Sequence, residues 1–348
     1  MGLSGGALVL KVLAIKLKLL GDVAVLVPAL RALHEAWPGG ELHVLVREEA
    51  VPVLENIPWI RRVWGVPKRL SWWGPGGIWA RIREWRGVGF DRSVDFEGND
   101  RGAILSRLIG APVRLGSLAP RGFLGRRRCY TQTVGKRADG VHEVYRDLHT
   151  LGAWGIPGPS SLEGEVHPAP EWADYAESVL AERGGVVAHL STSQPKKEWP
   201  VDCWAEVATR ALERGVPMYF SSGVSVRERA LLDALKRRVP GAVVLPAAPG
   251  LAAFIAVLSR AGVFVSGDTG PLHLAAGLGI STVGIFGPSD MGQWLPMARE
   301  CEGLKGGACV CSGHARECGS ETPCIRGVSV EAVWGKILDR YERVSSKR

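Results

Sequence analysis

Two residues that follow the first apolar run of the chain combine a flexible backbone with an acidic side chain. Gly21 permits a tight turn at the end of a strand, and Asp22 stands where the next helix would begin. A carboxylate there could act as a general base, and it could equally cap the helix. The segment lacks the Gly-x-Gly-x-x-Gly pattern that binds dinucleotide cofactors, which argues against a dehydrogenase.

A second candidate site lies in residues 265–290, where a buried strand is followed by Asp-Thr-Gly-Pro. Because proline is favoured in the first turn of a helix, we expect Asp268, Thr269 and Gly270 at a helix start. The free amides of Thr269 and Gly270, with the helix dipole, would attract an anion such as a diphosphate. His273, one turn further on, either faces the same ligand or packs beneath the loop.

A third candidate site follows the first predicted strand of the second half of the chain. Thr192 and Ser193 offer hydroxyl groups, and Lys196 and Lys197 offer ammonium groups beside them, a mixture suited to phosphate oxygens. A pair of lysines is often only solvated surface. A functional site is favoured by position, because two strand-end loops of one domain carry anion-binding groups.

The elements that must position these residues follow a regular pattern. Short apolar runs alternate with longer helical patterns, such as residues 23–36 and 101–109, which is typical of parallel sheets with crossover helices. Strands are predicted in two series, at residues 8–15, 42–46, 62–66, 92–96 and 113–115, and at residues 186–190, 218–221, 243–245, 263–266 and 282–286.

A connector rich in Pro, Gly and Ser, residues 156–172, separates the two series. We therefore predict an α/β protein with two Rossmann-like domains, residues 1–160 and 170–325, and a C-terminal helix at 326–348. Two such domains with parallel sheets facing across a cleft would bring the strand-end loops of both to that cleft, where open α/β sheets bind ligands.

Bulk properties limit the class of protein. A length of 348 residues suits two domains, and a formal charge of +8 indicates a polyanionic partner, either nucleic acid, an anionic membrane surface or a phosphorylated substrate. The apolar N-terminal segment is interrupted by Lys11, Lys16 and Lys18, which is typical of a buried strand and not of a signal peptide. No window approaches the roughly 18 to 20 apolar residues of a membrane-spanning helix. We expect a soluble, cytoplasmic protein.

Taken together, these motifs resemble glycosyltransferase family 9, the ADP-heptose:lipopolysaccharide heptosyltransferases. The resemblance rests on GDVAVLVPALRAL after the first strand, on Lys197-Glu198-Trp199-Pro200, and on SGDTGPLHLAAGLG followed by VGIFGPSD. It covers nearly the whole chain, and the Asp-Thr-Gly motif in its setting is the most specific part.

The resemblance implies a GT-B fold and an inverting transfer that uses no metal and no other cofactor. Asp22 matches the proposed base of the family and Lys197 its diphosphate-binding lysine. The other donor-binding positions that it implies are Thr192, Ser193, Asp268, Thr269, Gly270 and His273. One departure concerns the nucleotide ribose: some members carry an acidic residue just after the second strand of the C-terminal domain, where this chain reads SSGVSVRE.

The resemblance also implies the partners. The expected donor is ADP-heptose, and the expected acceptor is an anionic, lipid-linked saccharide of the lipopolysaccharide inner core, reached from the inner face of the membrane. Basic residues of the first domain, among them Lys68, Arg69, Arg126 and Arg127, would meet that acceptor. Tryptophans interleaved with the basic residues either rest at a membrane interface or pack internally; they are Trp72, Trp73, Trp79 and Trp85.

Five cysteines fall in one Gly-rich segment: Cys301, Cys309, Cys311, Cys318 and Cys324. Such density in a cytosolic protein favours metal binding over disulfides, but the spacing lacks two paired Cys-x-x-Cys arms and we assign no metal. Two rival functions fit the sequence less well. A nicotinamide-dependent oxidoreductase would need the missing glycine pattern, and a nucleic-acid-binding protein would spread its cations and aromatics along one face. We expect no nucleic-acid partner.

Overall fold

The computed structural model describes residues 9–68, 77–118, 122–135, 140–309, 318 and 320–346. The chain divides into two compact units, Met1–Leu162 and Glu163–Arg348. Each unit is built on its own parallel sheet. Within the ranges that the structure describes, no helix has both the length and the apolar character needed to span a bilayer.

The first unit contains a six-stranded parallel sheet in the order β3-β2-β1-β4-β5-β6. Its strands are β1 (Lys11–Lys16), β2 (Glu41–Arg47), β3 (Arg62–Val66), β4 (Arg92–Asp95), β5 (Val113–Leu118) and β6 (Gln132–Gly135). Its helices are α1 (Leu20–Val25), α2 (Val27–Ala36), α3 (Val51–Leu54), α4 (Ile78–Gly87), α5 (Asp100–Ile109) and α6 (Glu143–Leu151). The strand order reverses between β1 and β4, and this is where a doubly wound sheet binds its ligand.

The second unit repeats the topology, with strand order β12-β11-β10-β7-β8-β9. Its strands are β7 (Val186–His189), β8 (Met218–Ser221), β9 (Val243–Val244), β10 (Val263–Gly267), β11 (Ser281–Phe286) and β12 (Cys301–Lys305). Its helices are α7 (Ala173–Val179), α8 (Val201–Glu213), α9 (Val226–Arg238), α10 (Leu251–Leu258), α11 (Gly270–Gly277), α12 (Met291–Trp294) and α13 (Val330–Ser345). Here the reversal lies between β7 and β10, where Ser266 pairs with His189.

Burial explains why these segments become strands. The central strands β1, β7, β10 and β11 are covered on both faces, so their residues form continuous apolar runs instead of an alternating pattern. The core of the second unit contains Trp199 and Trp204, whose rings pack edge to face, together with Val333 and Ile337 of α13. The last helix is therefore part of that core.

The predicted α/β architecture of two Rossmann-like domains is confirmed. Each predicted strand is present, β3 and β8 with the predicted bounds and the others with slightly shifted ends. Two strands were missed. β6 is short, polar and at the edge of its sheet, and β12 lies in the Gly- and Cys-rich segment and is only half-buried. Neither has the apolar run on which a sequence-based prediction depends.

Candidate active site

The loop between β1 and α1 positions Asp22 at the point where the first sheet reverses. The helix begins at Leu20, three residues earlier than predicted, so Gly21 is helical and does not form the expected tight turn. Asp22 is the third helical residue, and the N-cap position is occupied by Leu19, which makes no side-chain capping bond. The alternative that Asp22 is the N-cap is therefore wrong.

Lys18 holds two carboxylates together beside this loop. Its Nζ lies 3.3 Å from Asp22 Oδ1 and 3.4 Å from Glu97 Oε2. Burial lowers the pKa of the Lys18 ammonium, but Asp22 and Glu97 raise it by more, so that the pKa lies above its ordinary value. The cation thus stays charged and compensates both carboxylates. Both acidic side chains are nearly buried, with exposed fractions of 13% and 11%.

Glu97 is positioned by the loop that follows β4. Asp95 accepts hydrogen bonds from the amides of Glu97 and Gly98 at 3.0 and 3.1 Å, and from the Tyr130 hydroxyl at 2.6 Å. Burial raises the pKa of the Asp95 carboxyl to about 6, although these three donors act in the opposite direction. The buried carboxyl group of Asp95 therefore fixes the conformation of this loop.

A buried ion pair lies at the end of β1, below Lys18. Lys16 Nζ donates to both carboxylate oxygens of Asp147 on α6, at 2.7 and 3.0 Å, and both side chains are 3% exposed. Burial lowers the pKa of the Lys16 ammonium, but Asp147 outweighs it, so the pKa is raised overall. Glu143 and Arg146 of the same helix line the adjoining pocket with Lys16 and Asp147. We call the cluster around Asp22, Lys18 and Glu97 the base site.

In the second unit, the loop after β7 carries Lys197 towards β10. Lys197 Nζ lies 2.6 Å from Asp268 Oδ2, and the same oxygen accepts from Ser289 Oγ at 2.5 Å. Asp268 is 8% exposed. One nearly buried carboxylate therefore fixes both a cation and a hydroxyl group.

The loops after β7 and β10 approach closely because residue 267 is glycine. A Cβ atom added there would lie 2.8 Å from the carbonyl oxygen of Lys197 and 3.1 Å from Thr192 Cγ2. α11 starts immediately afterwards, with Thr269 as N-cap and Gly270 as the first helical residue. The first amides of a helix have no partner within it, and they attract anions. An ammonium group and a helix start are thus brought together. We call this cluster the donor site, after the role that the family resemblance implies for its residues.

Arg227 and Glu198 also hold the loop after β7, through the backbone of Thr192. Glu198 Oε1 accepts from the Thr192 amide at 3.0 Å and from Arg227 Nη1 at 2.7 Å, while Arg227 Nη2 donates to the Thr192 carbonyl at 2.7 Å. Both polar groups of the Thr192 backbone are therefore bound by this pair. The Thr192 hydroxyl donates to the Gln194 carbonyl at 2.6 Å.

A buried histidine joins the ends of β7 and β8 in the donor site. His189 Nδ1 lies 3.0 Å from Ser221 Oγ, and Nε2 lies 3.3 Å from Ser191 Oγ, which also accepts from the Gly223 amide at 2.7 Å. Burial lowers the pKa of His189 to about 4, so the ring is neutral near pH 7. The network fixes the loop after β8 without adding charge.

Comparison with known proteins identifies the family. The model of glycosyltransferase family 9 (heptosyltransferase) matches residues 78–319. The chain belongs to glycosyltransferase family 9. The lipopolysaccharide heptosyltransferase 1 of Pseudomonas aeruginosa is 31% identical to this glycosyltransferase over 299 residues, which cover 81% of this chain and 80% of the relative.

Solved structures agree on the fold. A family 9 glycosyl transferase from Veillonella parvula aligns with a TM-score of 0.79 at 19% identity, covering 96% of this chain and 97% of the other. An E. coli heptosyltransferase solved with ADP aligns with a TM-score of 0.73 at 22% identity, covering 95% and 100%. The glycosyltransferase has the GT-B fold.

The structure brings together some of the predicted donor-site residues of this glycosyltransferase. Lys197, Asp268 and the start of α11 form one cluster. Thr192 is buried with its hydroxyl engaged, Ser193 is exposed, and His273 is buried within α11 at 5% exposure. For His273, burial favours the packing alternative over a ligand-facing role.

The predicted acceptor-binding residues differ in their surroundings. Lys68 and Arg127 are exposed, and Arg69 lies outside the described residues. Arg126 is 7% exposed and its Nη1 donates to Asp100 at 3.3 Å, so it stabilises the start of α5. Trp72 and Trp73 also lie outside the described residues. Trp85 is in the core of the first unit, as in the packing alternative.

Sequence reasoning missed several residues of both sites: Lys18, Glu97, Glu198, Arg227 and Ser289. Three of them carried a signal. Lys18 precedes Asp22 by one helical turn, a spacing at which opposite charges meet, and Glu198 and Ser289 belong to motifs that the family resemblance quotes. The others contact their partners only through the tertiary fold.

The cysteine segment is partly described. Cys301 and Cys318 are free thiols, Cys309 and Cys324 are half-buried, and Cys311 lies outside the described residues. Burial raises the pKa of the Cys301 thiol. Among the residues that the structure describes, no three His, Cys, Asp or Glu side chains are grouped so that they could hold a metal ion.

Proposed function

We propose that this family 9 enzyme transfers heptose from ADP-heptose to an acceptor in the inner core of lipopolysaccharide, with inversion and without a metal ion. Family membership and the heptosyltransferase relative support the sugar and the acceptor. The single observation that carries the site assignment is the convergence of Lys197, Asp268 and the start of α11 in one donor site.

Asp22 is the proposed base. Its carboxylate takes the proton of an acceptor hydroxyl as the oxygen attacks the anomeric carbon of the sugar. The bond from that carbon to the diphosphate oxygen breaks, and ADP leaves from the opposite face with its electron pair. The configuration is therefore inverted. Lys18 supports this role because it compensates the charges of Asp22 and Glu97 at 3.3 and 3.4 Å.

The donor site would stabilise the departing diphosphate. Negative charge grows on ADP as the bond breaks, and Lys197 and the amides at Thr269 and Gly270 are groups that stabilise such charge. Preorganised donors of this kind are worth on the order of 3 kcal/mol each in a transition state. A cation fixed by Asp268 and a helix start supply this stabilisation from the chain itself, which supports transfer without a metal ion.

The base assignment is tested by comparing two isosteric variants, Asp22→Asn and Glu97→Gln. Both carboxylates contact Lys18, but only Asp22 is the proposed base. Asp22→Asn should lower kcat by about 10² to 10⁴ with unchanged ADP affinity, because general-base catalysis contributes on this scale. Glu97→Gln should have a much smaller effect. The reverse order of the two losses would assign the base to Glu97.

Nucleotide preference tests the donor. Thermal unfolding with ADP, UDP, GDP or NAD in the presence of EDTA should show stabilisation by ADP, because a ligand that binds only the folded state raises Tm. Stabilisation by ADP that required added Mg²⁺ would contradict the proposal that transfer needs no metal ion. Stabilisation by NAD alone would contradict the transferase assignment.

A second candidate is a family 9 transferase that uses another nucleotide sugar. It is favoured by the segment after β8, where an acidic residue for the ribose would stand. Arg227 is engaged with Glu198, and Glu228 forms a capping box with Ser225. Stabilisation by UDP or GDP in the same titration would select this candidate.

The acceptor is proposed to be anionic and lipid-linked, which would place the enzyme at the inner face of the cytoplasmic membrane. Two basic segments of the first unit adjoin the start of α5 and support an anionic acceptor. Arg101 Nη2 donates to the Pro67 carbonyl at 2.5 Å, next to the exposed Lys68. The neighbouring Asp100 binds Arg126, next to the exposed Arg127.

A further inference from the structure

Several large apolar side chains of the first unit are exposed near the start of α5. Leu124 is fully exposed at 103%, and Phe123 and Ile104 are 41% and 46% exposed. Single exposed apolar residues are common, whereas a group of them with a polar rim marks an interaction surface.

Contacts around Asp100 place them together. Asp100 Oδ1 accepts from the Phe123 amide at 3.1 Å and from Arg126 Nη1 at 3.3 Å, which fixes residues 123–126 against the first turn of α5. Ile104 follows Asp100 by one helical turn and therefore lies on the same face of the helix. Gly125, with φ of 91°, turns the chain so that Leu124 is at the tip.

Exposed arginines surround this tip. Arg127 and Arg128 follow it directly, and Arg107 lies two turns beyond Asp100 and one turn beyond Ile104 on α5. Arg126 does not contribute free charge, because Asp100 neutralises it. Among the residues that the structure describes, Arg107, Arg127 and Arg128 form no ion pair, and these three cations border the apolar centre.

We propose that this surface docks on an anionic lipid bilayer, with Leu124 and Phe123 entering the interface and the arginines meeting the headgroups. The docking patch consists of Ile104, Arg107, Phe123, Leu124, Arg127 and Arg128. Each arginine near an anionic membrane strengthens binding by about fivefold, and buried apolar side chains add to this. A single-stranded nucleic acid is a poorer fit, because it stacks bases on successive aromatic rings and the patch has one.

The proposal deepens the proposed function, on which it rests for the lipid-linked acceptor, but vesicle binding itself needs no acceptor. Flotation of the full chain would be measured with phosphatidylcholine vesicles and with vesicles that also contain phosphatidylglycerol. Binding should require the anionic lipid and weaken with added salt. Equal binding to both vesicles, or complete competition by inorganic phosphate, would overturn the proposal, the latter because the patch would then be a phosphate site.

Two variants and two matched controls separate the patch from general effects. Leu124→Asp and the pair Arg127→Glu with Arg128→Glu should each lower vesicle binding by about tenfold or more. Leu212→Asp and Arg237→Glu change side chains that are also exposed, on α8 and α9 of the second unit, and should bind like the parent.

Equal losses in the patch variants and the controls, or no loss in Leu124→Asp, would overturn the docking patch. ADP affinity and turnover on a soluble, deacylated acceptor would be measured in parallel. If the parent neither binds ADP nor turns over the acceptor, while only the patch variants lose vesicle binding, the proposed function is wrong and the docking patch stands.

Discussion

Arg227 provides the sharpest test of how the donor site is held. The substitution Arg227→Met removes two charge-assisted hydrogen bonds, one to Glu198 and one to the Thr192 carbonyl, while keeping the length of the side chain. Such bonds are worth roughly 1.5 to 3 kcal/mol each when shielded from water. Because the Arg227 side chain is 44% exposed, solvent screening reduces their sum to about 1.4 kcal/mol.

This energy sets an upper limit to the effect on binding. If the two hydrogen bonds keep the loop that carries Lys197 in its binding conformation, their loss lowers the population of that conformation by up to about tenfold. The Kd for ADP then rises by the same factor. The KM for the donor should rise in parallel while kcat at saturation changes little, because the proposed base, Asp22, belongs to the first unit. Arg227→Lys should restore part of the affinity, since an ammonium group can replace one of the two bonds.

Isothermal titration with ADP measures the effect, and Arg237→Met is the matched control. Arg237 is an exposed arginine on the same helix and should be replaceable without loss. An unchanged Kd in Arg227→Met, or an equal rise in the control, would refute the reasoning. A fall in kcat at unchanged KM would also refute it, because the pair would then act on the chemical step and not on donor binding.

Two further predictions concern stability. The pKa of Asp95, about 6, lies above its unfolded value of about 3.9, so ionisation costs stability. As pH rises from about 4 to 7, the free energy of unfolding of the parent, measured in urea, should fall by on the order of 2 kcal/mol relative to that of Asp95→Asn. The same pH dependence in both proteins would refute this. Gly267→Ala should lower Tm and weaken ADP binding, because its Cβ would lie 2.8 Å from the Lys197 carbonyl oxygen, with an overpacking cost of about 1 to 3 kcal/mol. Gly335→Ala, on the exposed face of α13 with open space around it, is the control and should be neutral or stabilising.

Local signals were sufficient for the elements and for part of the donor site. Pro271 in the first turn marks the start of α11, and the continuous apolar run before it marks β10, so the anion-binding helix start could be placed from sequence. The same reasoning placed Lys197 at the end of a neighbouring strand. Their contact then follows from strand order, because β7 and β10 are adjacent.

Interactions over long separations could not be predicted in this way. Glu198 and Arg227 are 29 residues apart, and neither segment alone indicates the contact that α9 makes possible. Helix boundaries also depend on the fold. α1 begins at Leu20 although no capping side chain precedes it. Asp22, which the sequence places at the start of the helix, is therefore its third residue. The cause is that buried packing of α1 outweighs the local capping signal.

The helix α13 has a consequence for how the protein is made. Within the described part of the chain, the last strand of the first sheet ends at Gly135, whereas the second sheet ends at Lys305 and its core is closed by Val333 and Ile337, both fully buried. Domains fold as units, with N-terminal ones first during synthesis. A nascent chain that has not yet released α13 from the ribosome would therefore carry a folded first unit ahead of a second unit with an uncovered core. The donor loops would gain their final packing only after α13 has emerged from the ribosome.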